Sequence, residues 1–150
     1  MEPHTTAEWE ALLYDWHNDH LLRAQRADVD YWQASTADAD RLLVLGAGTG
    51  RVAAPLARHR PRLVTALDLS PARLRRVPAV PGLRPVCGDM RRLPLAGGFD
   101  AAIVPYSAMQ LLVSPRDRDQ ALVDAARVLT PDGFLHVDVS GNFDTRPPKN

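Results

Sequence analysis

The chain has 150 residues, of which 45% are apolar; this is enough for one sizeable hydrophobic core but short for two ordinary domains, so a single domain is predicted. Eighteen basic and eighteen acidic residues cancel to a formal net charge of zero, which excludes the electrostatic footprint of a nucleic-acid or anionic-membrane binder. A small-molecule partner fits these properties best.

The chain carries few covalent or targeting signals. Cys87 is the single cysteine, which excludes an internal disulfide framework and a thiolate zinc cluster. The first residues lack a basic and then apolar secretory signal, and no apolar run approaches the roughly 18 residues that span a bilayer. These features predict a cytoplasmic protein.

The N-terminal region is predicted to form a helix from about Ala7 to Trp32. Its apolar residues recur at spacings of three and four, which places them on one helical face. This stripe consists of Trp9, Leu12, Leu13 and Trp16. We expect the stripe to pack on the main domain, so residues 1–38 are interpreted as a helical cap.

From Arg41 onward, short apolar runs alternate with helix-like stretches. The five predicted strands are residues 42–45, 62–67, 83–87, 99–104 and 134–139. Strands separated by helices indicate βαβ units with right-handed crossovers and a mostly parallel sheet that is covered on both faces. The predicted fold is therefore α/β, a Rossmann-like three-layer sandwich, with residues 39–140 as its core and residues 141–150 as a flexible tail.

Local signals place the helices between these strands. A helix over residues 51–60 follows the first strand, and Ser70 followed by Pro71 is a good start for the second. Ser114 opens the last helix. Its inward face is predicted to carry Leu122, Ala125, Ala126 and Leu129. Residues 131–133 are predicted to form a turn before strand five.

A glycine-rich loop, Gly46 to Gly50, follows the first predicted strand. Glycines at 46, 48 and 50 allow the backbone to turn tightly and to approach a ligand, while the next helix presents free N–H groups and its positive end. Such loops also occur as simple turns without a ligand. The neighbouring strand ends must therefore decide between the two interpretations.

An acidic residue follows each of the next two strands. At Asp68, after the second, a carboxylate can accept hydrogen bonds from both hydroxyls of a ribose. At Asp89, after the third, a carboxylate can accept from the exocyclic amine of an adenine while Met90 covers the ring face. Either aspartate alone is also explained as a helix cap or a loop residue. Together with the glycine loop, in order and each at a strand end, they predict a ligand site.

The combination resembles the class I S-adenosylmethionine-dependent methyltransferases, over about Arg41 to Ser140. The resemblance is carried by Leu43 to Arg51, Leu67 to Pro71, Gly88 to Met90, Phe99 to Asp100 with Val104 to Tyr106, and Arg127 to Gly133. A nicotinamide dinucleotide fingerprint would place glycine or alanine where this chain has Arg51. The spacing therefore favours the methyl donor.

The resemblance implies a role for each matching residue. The glycine loop would line the methionine end of the donor, Asp68 would bind the ribose, and Asp89 with Met90 would bind the adenine. In related small-molecule enzymes a tyrosine of the N-terminal helix closes over the donor. Tyr14 is the candidate here, because it lies off the apolar stripe. A solvent-exposed tyrosine fits the helical wheel equally well. The implied cofactor-binding residues are Tyr14, Gly46, Ala47, Gly48, Gly50, Asp68, Leu69, Asp89, Met90 and Pro105.

No mandatory catalytic residue is identified. Methyl transfer from a sulfonium is an in-line displacement, in which holding the acceptor and the methyl group close and aligned supplies much of the catalysis. A general base is needed only for an acceptor of high pKa, so Tyr106, just after strand four, is a positional candidate that ordinary pocket lining explains as well. A polar cluster on the N-terminal helix has metal-ligand chemistry, but its histidines lie three residues apart rather than four, so a solvated face without a metal is preferred. That cluster is Asp15, His17, Asp19 and His20.

The pattern departs from the family at its C-terminal end. Full-length members follow strand five with a helix and an antiparallel pair of strands, and this chain ends before them. Strand five, with Leu135, Val137 and Val139, is then expected to be a bare sheet edge, which invites pairing with another chain. A homodimer or a partner subunit is therefore predicted to cover this edge.

Three functions remain at this point. The first is methyl transfer from S-adenosylmethionine to a small molecule, in bacterial specialised metabolism. The second is another reaction on the same fold, such as a cyclisation. The third is a non-catalytic subunit that stabilises a partner. Binding of the donor would separate the first two from the third.

Overall fold

The computed structural model describes residues 5–21, 27–60 and 62–141. Its helices and strands alternate along most of the chain. In chain order they are α1 (Thr6–Leu21), α2 (Ala27–Ser35), β1 (Arg41–Leu45), α3 (Ala53–His59), β2 (Leu63–Asp68), α4 (Pro71–Leu74), β3 (Leu83–Cys87), β4 (Phe99–Val104), a 3-10 helix (Ala108–Leu111), α5 (Pro115–Val128) and β5 (Leu129–Val137). The first four strands agree with the prediction to within one residue at each end.

The five strands form one parallel sheet in the order β3-β2-β1-β4-β5. Neighbouring strands β1 and β4 are far apart in the chain, and Leu42 of one pairs with Ala101 of the other. The chain thus builds one half of the sheet outward from β1, crosses over, and builds the other half from β4. Ligands of such sheets bind at the carboxyl ends of the strands, at this switch point.

The sheet is covered on both faces, as a buried parallel sheet requires. Successive side chains of a strand point to opposite faces, so the apolar run 42–45 contributes to two cores. Leu42 packs in one core with Trp32 of α2, and Leu43 packs in the other with Val128 of α5. The predicted α/β, Rossmann-like three-layer architecture is confirmed.

The N-terminal helix docks on a different face from the predicted one. Trp9, Leu13 and Trp16 are 55%, 65% and 55% exposed, whereas Ala11 and Asn18 are buried. The prediction that the apolar stripe packs inward is therefore wrong. Residues 22–26 of the predicted continuous helix lie outside the described residues.

Charged pairs join α1 to the region of α4. Glu10 pairs with Arg73 and Asp15 with Arg76. Between these pairs the small side chain of Ala11 is 1% exposed. Small and charged side chains thus make the docking face, which a hydrophobic period does not detect.

The inward face of α5 is shifted by one residue from the prediction. Ala121, Asp124, Ala125 and Val128 are buried, whereas Leu122 is 41% exposed and Ala126 also faces outward. The polar residue Asp124 accounts for the error. Its carboxylate accepts a hydrogen bond from the backbone N–H of Leu93, so an acidic residue occupies a position that the pattern reserves for an apolar one.

The turn predicted at residues 131–133 is part of β5. Between Phe99 and Ala101 of β4, the partner in β5 advances from Leu129 to Phe134, so the intervening residues form a bulge. β5 also ends at Val137 rather than at residue 139. The tail predicted over residues 141–150 lies outside the described residues except for its first member. None of the helices within the described ranges is long and apolar enough to cross a membrane.

Candidate functional site

A cavity of about 1070 Å³ opens at the carboxyl ends of the strands. Its wall is made by one side chain of α1, by residues at or just after the carboxyl ends of β1, β2, β3 and β4, and by single residues of α4, of α5 and of the chain after β5. Seven of the predicted donor-site residues line it: Tyr14, Gly46, Asp68, Leu69, Asp89, Met90 and Pro105. The other three, Ala47, Gly48 and Gly50, are buried in the loop behind this wall. Segments that lie far apart in the chain thus converge at the carboxyl ends of the strands.

The loop after β1 turns through left-handed backbone conformations. Gly46, Gly48 and Gly50 have φ angles of +68°, +58° and +87°, which glycine adopts without the steric cost that a side chain brings. The N–H of Ala47 donates to the carbonyl of Leu67 at 2.9 Å, which fastens the loop to β2. The loop is therefore a fixed, side-chain-poor wall of the cavity.

Asp68, the last residue of β2, holds two loops with one carboxylate. Its Oδ2 accepts the N–H of Gly48 at 2.8 Å and its Oδ1 accepts the N–H of Ser70 at 2.9 Å. The residue is 7% exposed, yet it lines the cavity. An ionised carboxylate offers about four acceptor sites, so two remain for hydroxyl groups of a ligand.

Tyr14 of α1 lies directly over the glycine loop. A Cβ atom built on Gly48 would stand 2.8 Å from both Cε1 and Oη of Tyr14. The guanidinium of Arg73 lies 4.4 Å from the centre of the ring. Burial raises the pKa of the Tyr14 hydroxyl, against smaller opposing effects of Asn18 and Arg73. The ring therefore forms a neutral cover at the edge of the cavity.

Asp89, after β3, is oriented by an arginine. The Nε atom of Arg91 donates to both carboxylate oxygens at 3.0 Å, and its Nη1 reaches Asp117 at 3.2 Å. Nη2 and the backbone N–H of Arg91 also donate to Asp89, at 2.6 and 2.9 Å. The hydrogen bonds from Arg91 lower the pKa of Asp89, so the carboxylate stays ionised at neutral pH. Leu69 and Met90 follow the neighbouring strands and add apolar surface here.

The loops after β1 and β4 touch. A Cβ on Gly46 would stand 2.6 Å from Cβ of Ala108 and 3.7 Å from the methyl carbon of Met90. In the loop after β4, Pro105 and Tyr106 line the cavity. The glycine loop and Tyr106 thus belong to one continuous wall.

Tyr106 and Ser107 both have left-handed backbones, with φ angles of 53° and 55°. Non-glycine residues pay for this conformation. The Arg51 guanidinium lies 5.5 Å from the ring centre of Tyr106, and His17 Nε2 lies 3.4 Å from its hydroxyl. The 45% exposed ring is therefore held between two basic side chains.

The residues just after β5 are tied to the same loop. Ser107 Oγ accepts the N–H of Ser140 at 3.0 Å, and Gln110 Nε2 donates to the Ser140 carbonyl at 2.7 Å. Gln110 Oε1 also accepts the Ser140 N–H, at 2.9 Å. All three residues line the cavity, whose wall therefore includes chain from beyond β5.

Sequence reasoning missed several side chains in and around the site, among them Arg73, Arg91, Ser107 and Gln110 in the cavity wall and His17 behind it. Arg73 had no motif, and its place on α4 beside the cavity follows from the Ser70 helix start. His17 was interpreted only as part of a polar cluster, which the structure disperses: Asp15 pairs with Arg76, while His20 stacks on Trp16 at 4.9 Å. Among the residues the structure describes, no group of three potential ligands could hold a metal ion.

Comparison with known proteins places this site in context. A family described as "Methyltransferase domain" matches residues 42–133. Two malonyl-[acyl-carrier protein] O-methyltransferases are similar, one from Methylovorus sp. (strain MP688) at 34% identity over 105 residues and one from Laribacter hongkongensis (strain HLHK9) at 39% over 110 residues. Each match covers 63% of this chain, but only 34% and 35% of the respective relative. The chain thus spans about a third of the length of these curated relatives.

A solved structure extends the match into the N-terminal helices. It is CalS10 with bound S-adenosylmethionine, an amino pentose methyltransferase from Micromonospora echinaspora involved in calicheamicin biosynthesis. The TM-score is 0.64 at 31% identity, over 90% of this chain and 57% of that one. The structural similarity therefore reaches beyond residues 42–133, the region that the family model matches.

Proposed function

Because the chain belongs to the methyltransferase-domain family, whose model matches residues 42–133, we propose that it binds S-adenosylmethionine and transfers the methyl group to a small-molecule acceptor of bacterial metabolism. The observation that carries the proposal is Asp68. It is a buried carboxylate at the switch point of the sheet, holds the glycine loop, and still lines the cavity. The names of the relatives, which act on an acyl-carrier-protein substrate and an amino pentose, support this reaction class.

The residues present fit such a donor. The two free acceptor sites of Asp68 suit the ribose hydroxyls, and the ionised Asp89 suits the adenine amine. Leu69 and Met90 offer apolar surface for the adenine faces. Gly46 lines the cavity without a side chain, so the glycine loop presents backbone where the methionine end would lie.

The remaining wall of the cavity is assigned to the acceptor. When bound, the donor would supply an electrophilic methyl group on a positively charged sulfur. The chain contributes position, because the displacement requires the acceptor atom in line with that methyl group. Tyr14 excludes water from the glycine loop on one side. On the other side Tyr106 presents its hydroxyl to an acceptor, next to Ser107 and Gln110, which are hydrogen-bonded to Ser140.

Calorimetric titration with S-adenosylmethionine and S-adenosylhomocysteine tests the donor site. We expect Asp68→Asn to weaken binding by about 1–3 kcal/mol, the cost of unpairing buried polar groups. Asp100→Asn is the matched control, because Asp100 Oδ2 also accepts two backbone N–H groups, those of Asp40 and Arg41 at 3.0 and 2.8 Å, but at the amino end of β4. Equal affinity of the two variants would refute the ribose assignment.

Activity is measured as S-adenosylhomocysteine formed in the presence of small amines, phenols, alcohols and carboxylic acids. Wild-type protein that binds neither donor nor product would refute the proposed function and favour a non-catalytic subunit. Binding without methyl transfer to any acceptor class would favour another reaction on the same fold.

The proposal includes a second copy of the chain, or a partner subunit, on the outer edge of β5. Within the described residues this strand pairs on one side only, with β4. A second cavity beside it is lined by Trp32, His136, Val137 and Val139, among others, and Nδ1 of His136 is buried there without a hydrogen-bond partner in the described chain. Light scattering that shows a monomer at high concentration would contradict self-association. A cytoplasmic location belongs to the same proposal and is supported by the lone, exposed Cys87.

A further inference from the structure

Tyr106, on the acceptor side of the cavity, lies next to the imidazole of His17, which stands outside the cavity wall. The hydroxyl of Tyr106 lies 3.4 Å from Nε2 of His17. Tyr106 lines the cavity, whereas His17, on α1, does not. Hydrogen bonds of this kind are often long in ligand-free sites and shorten when a ligand binds. The pair is therefore poised to pass a proton from the cavity to the imidazole.

The backbone at Tyr106 is strained, so its conformation is fixed by the surrounding structure. Two consecutive non-glycine residues, Tyr106 and Ser107, adopt left-handed conformations directly after β4. Such strain persists where the surrounding structure over-determines it, and it clusters at functional sites. The contact of Ala108 with Gly46 fixes the next residue of the same loop against the glycine loop. Tyr106 is thereby held beside the wall that we assign to the methionine end of the donor.

A cation lies over the ring of Tyr106 and helps to hold it in place. The Arg51 guanidinium is 5.5 Å from the ring centre, within the range of a cation–π contact. Arg51 is itself fixed by Asp28 of α2, with nitrogen to oxygen distances of 3.1 and 2.6 Å. In the part of the chain that the structure describes, these are the charged groups that face the pair from the loop after β1 and from α2.

We propose that Tyr106 and His17 form a proton-transfer pair that selects acceptors carrying a proton on the attacking nitrogen or oxygen, namely amines or hydroxyl compounds. The inference rests on the proposed methyl transfer. Tyr106 is then a catalytic residue that touches the acceptor, and His17 is a positioning residue that acts through it.

The step balances without a further reactant. The acceptor atom forms a bond to the methyl carbon, and the carbon–sulfur bond breaks with its electron pair left on sulfur. The acceptor proton passes to Oη of Tyr106, whose own proton passes to Nε2 of His17. The positive charge of the sulfonium thus ends on the imidazolium. A carboxylate acceptor has no proton to give and would leave the pair without a role.

The kinetic experiment compares Tyr106→Phe and His17→Gln with two matched controls. Tyr31→Phe alters an exposed tyrosine of α2, and His20→Gln alters another histidine of α1, which bonds the Trp16 carbonyl. With S-adenosylmethionine and an amine or phenol acceptor, both site variants should lose about 10- to 100-fold in kcat. The double variant should lose no more kcat than the more impaired of the two single variants. The calorimetric affinity for the donor should not change.

The pH profile separates proton transfer from a structural role. The wild-type rate should fall in mildly acidic solution, where an imidazole takes up a proton, and that limb should be absent in His17→Gln. Wild-type kcat and profile in His17→Gln would overturn the proposal. A loss of rate matched by an equal loss of donor affinity would overturn it too, as would methylation confined to carboxylates.

A spectroscopic experiment needs no acceptor. The His17 imidazole is titrated by nitrogen NMR with S-adenosylhomocysteine present, in wild type, Tyr106→Phe and Tyr31→Phe. The midpoint should move in Tyr106→Phe alone, and an unmoved midpoint would overturn the pair. Failure of the wild type to bind S-adenosylmethionine or S-adenosylhomocysteine in calorimetry would instead refute the donor site itself.

Discussion

Replacing Gly48 with alanine tests how closely Tyr14 is seated on the glycine loop. At a φ of +58° a side chain costs about 1–2 kcal/mol in backbone strain. The new Cβ would also stand 2.8 Å from two atoms of the Tyr14 ring, so the ring must move away. We expect Gly48→Ala to lower the free energy of unfolding by at least the backbone cost and to release Tyr14 into solvent.

Gly50→Ala is the matched control within the same loop. Its φ of +87° brings a comparable backbone cost, but its Cβ would meet Cγ1 of Val77 at 3.2 Å, a side chain that can yield. Both variants should therefore be destabilised by similar backbone strain. Only Gly48→Ala should displace Tyr14.

Urea denaturation measures the stability of both variants, and carbon NMR of labelled tyrosine follows the ionisation of Tyr14. Burial raises the pKa of this hydroxyl in the folded protein, so exposure in Gly48→Ala should lower it, while Gly50→Ala should retain the wild-type value. Donor affinity should fall with the loss of the cover. An unchanged Tyr14 pKa in Gly48→Ala, or the same change in Gly50→Ala, would refute the reasoning.

Two further changes probe the frame of the sheet. A Cβ on Gly82, at φ +80°, would stand 2.2 Å from the carbonyl oxygen of Arg62. Gly82→Ala should therefore lower the free energy of unfolding in urea by about 2–4 kcal/mol and leave the donor affinity of the folded protein unchanged. A urea midpoint equal to that of the wild type would contradict this. The hydrogen bonds from Arg127, together with the Leu93 N–H, lower the pKa of Asp124 below its ordinary 3.8. The stability from this pair is therefore complete above about pH 4 and is lost as the pH falls through the lowered value. Asp124→Asn should be about 1–3 kcal/mol less stable than wild type at pH 7, and the difference should shrink in acid; a difference that grows in acid would show the sign to be wrong.

The sheet was predictable because its signals are local. Each of the strands β1 to β4 is a short run that ends at a glycine, an aspartate or a proline, so the run and its stop lie together in the sequence. The glycine loop, Asp68 and Asp89 adjoin those stops, which is why the sequence could predict them together. The bulge in β5 was missed because residues 131–133 have turn chemistry, whereas the pairing with β4 resumes only at Phe134 after starting at Leu129.

Long-range contacts account for what the sequence did not show. The helical period of α1 shows that Trp9, Leu13 and Trp16 share a face, but not which face docks on the region of α4. Glu10 meets Arg73 across 63 residues, and His17 meets Tyr106 across 89. No local pattern encodes such pairs. Tyr14 was placed correctly off the stripe, and the docking of the opposite face of the helix brings it over the loop.

The ion pairs that dock α1 on the region of α4 make its position sensitive to salt. Ion pairs at a protein surface contribute roughly 0–1 kcal/mol each and weaken with salt, whereas the sheet below is fastened by two apolar cores. The position of α1, and of the Tyr14 ring that it carries, should therefore respond to ionic strength more than the sheet does.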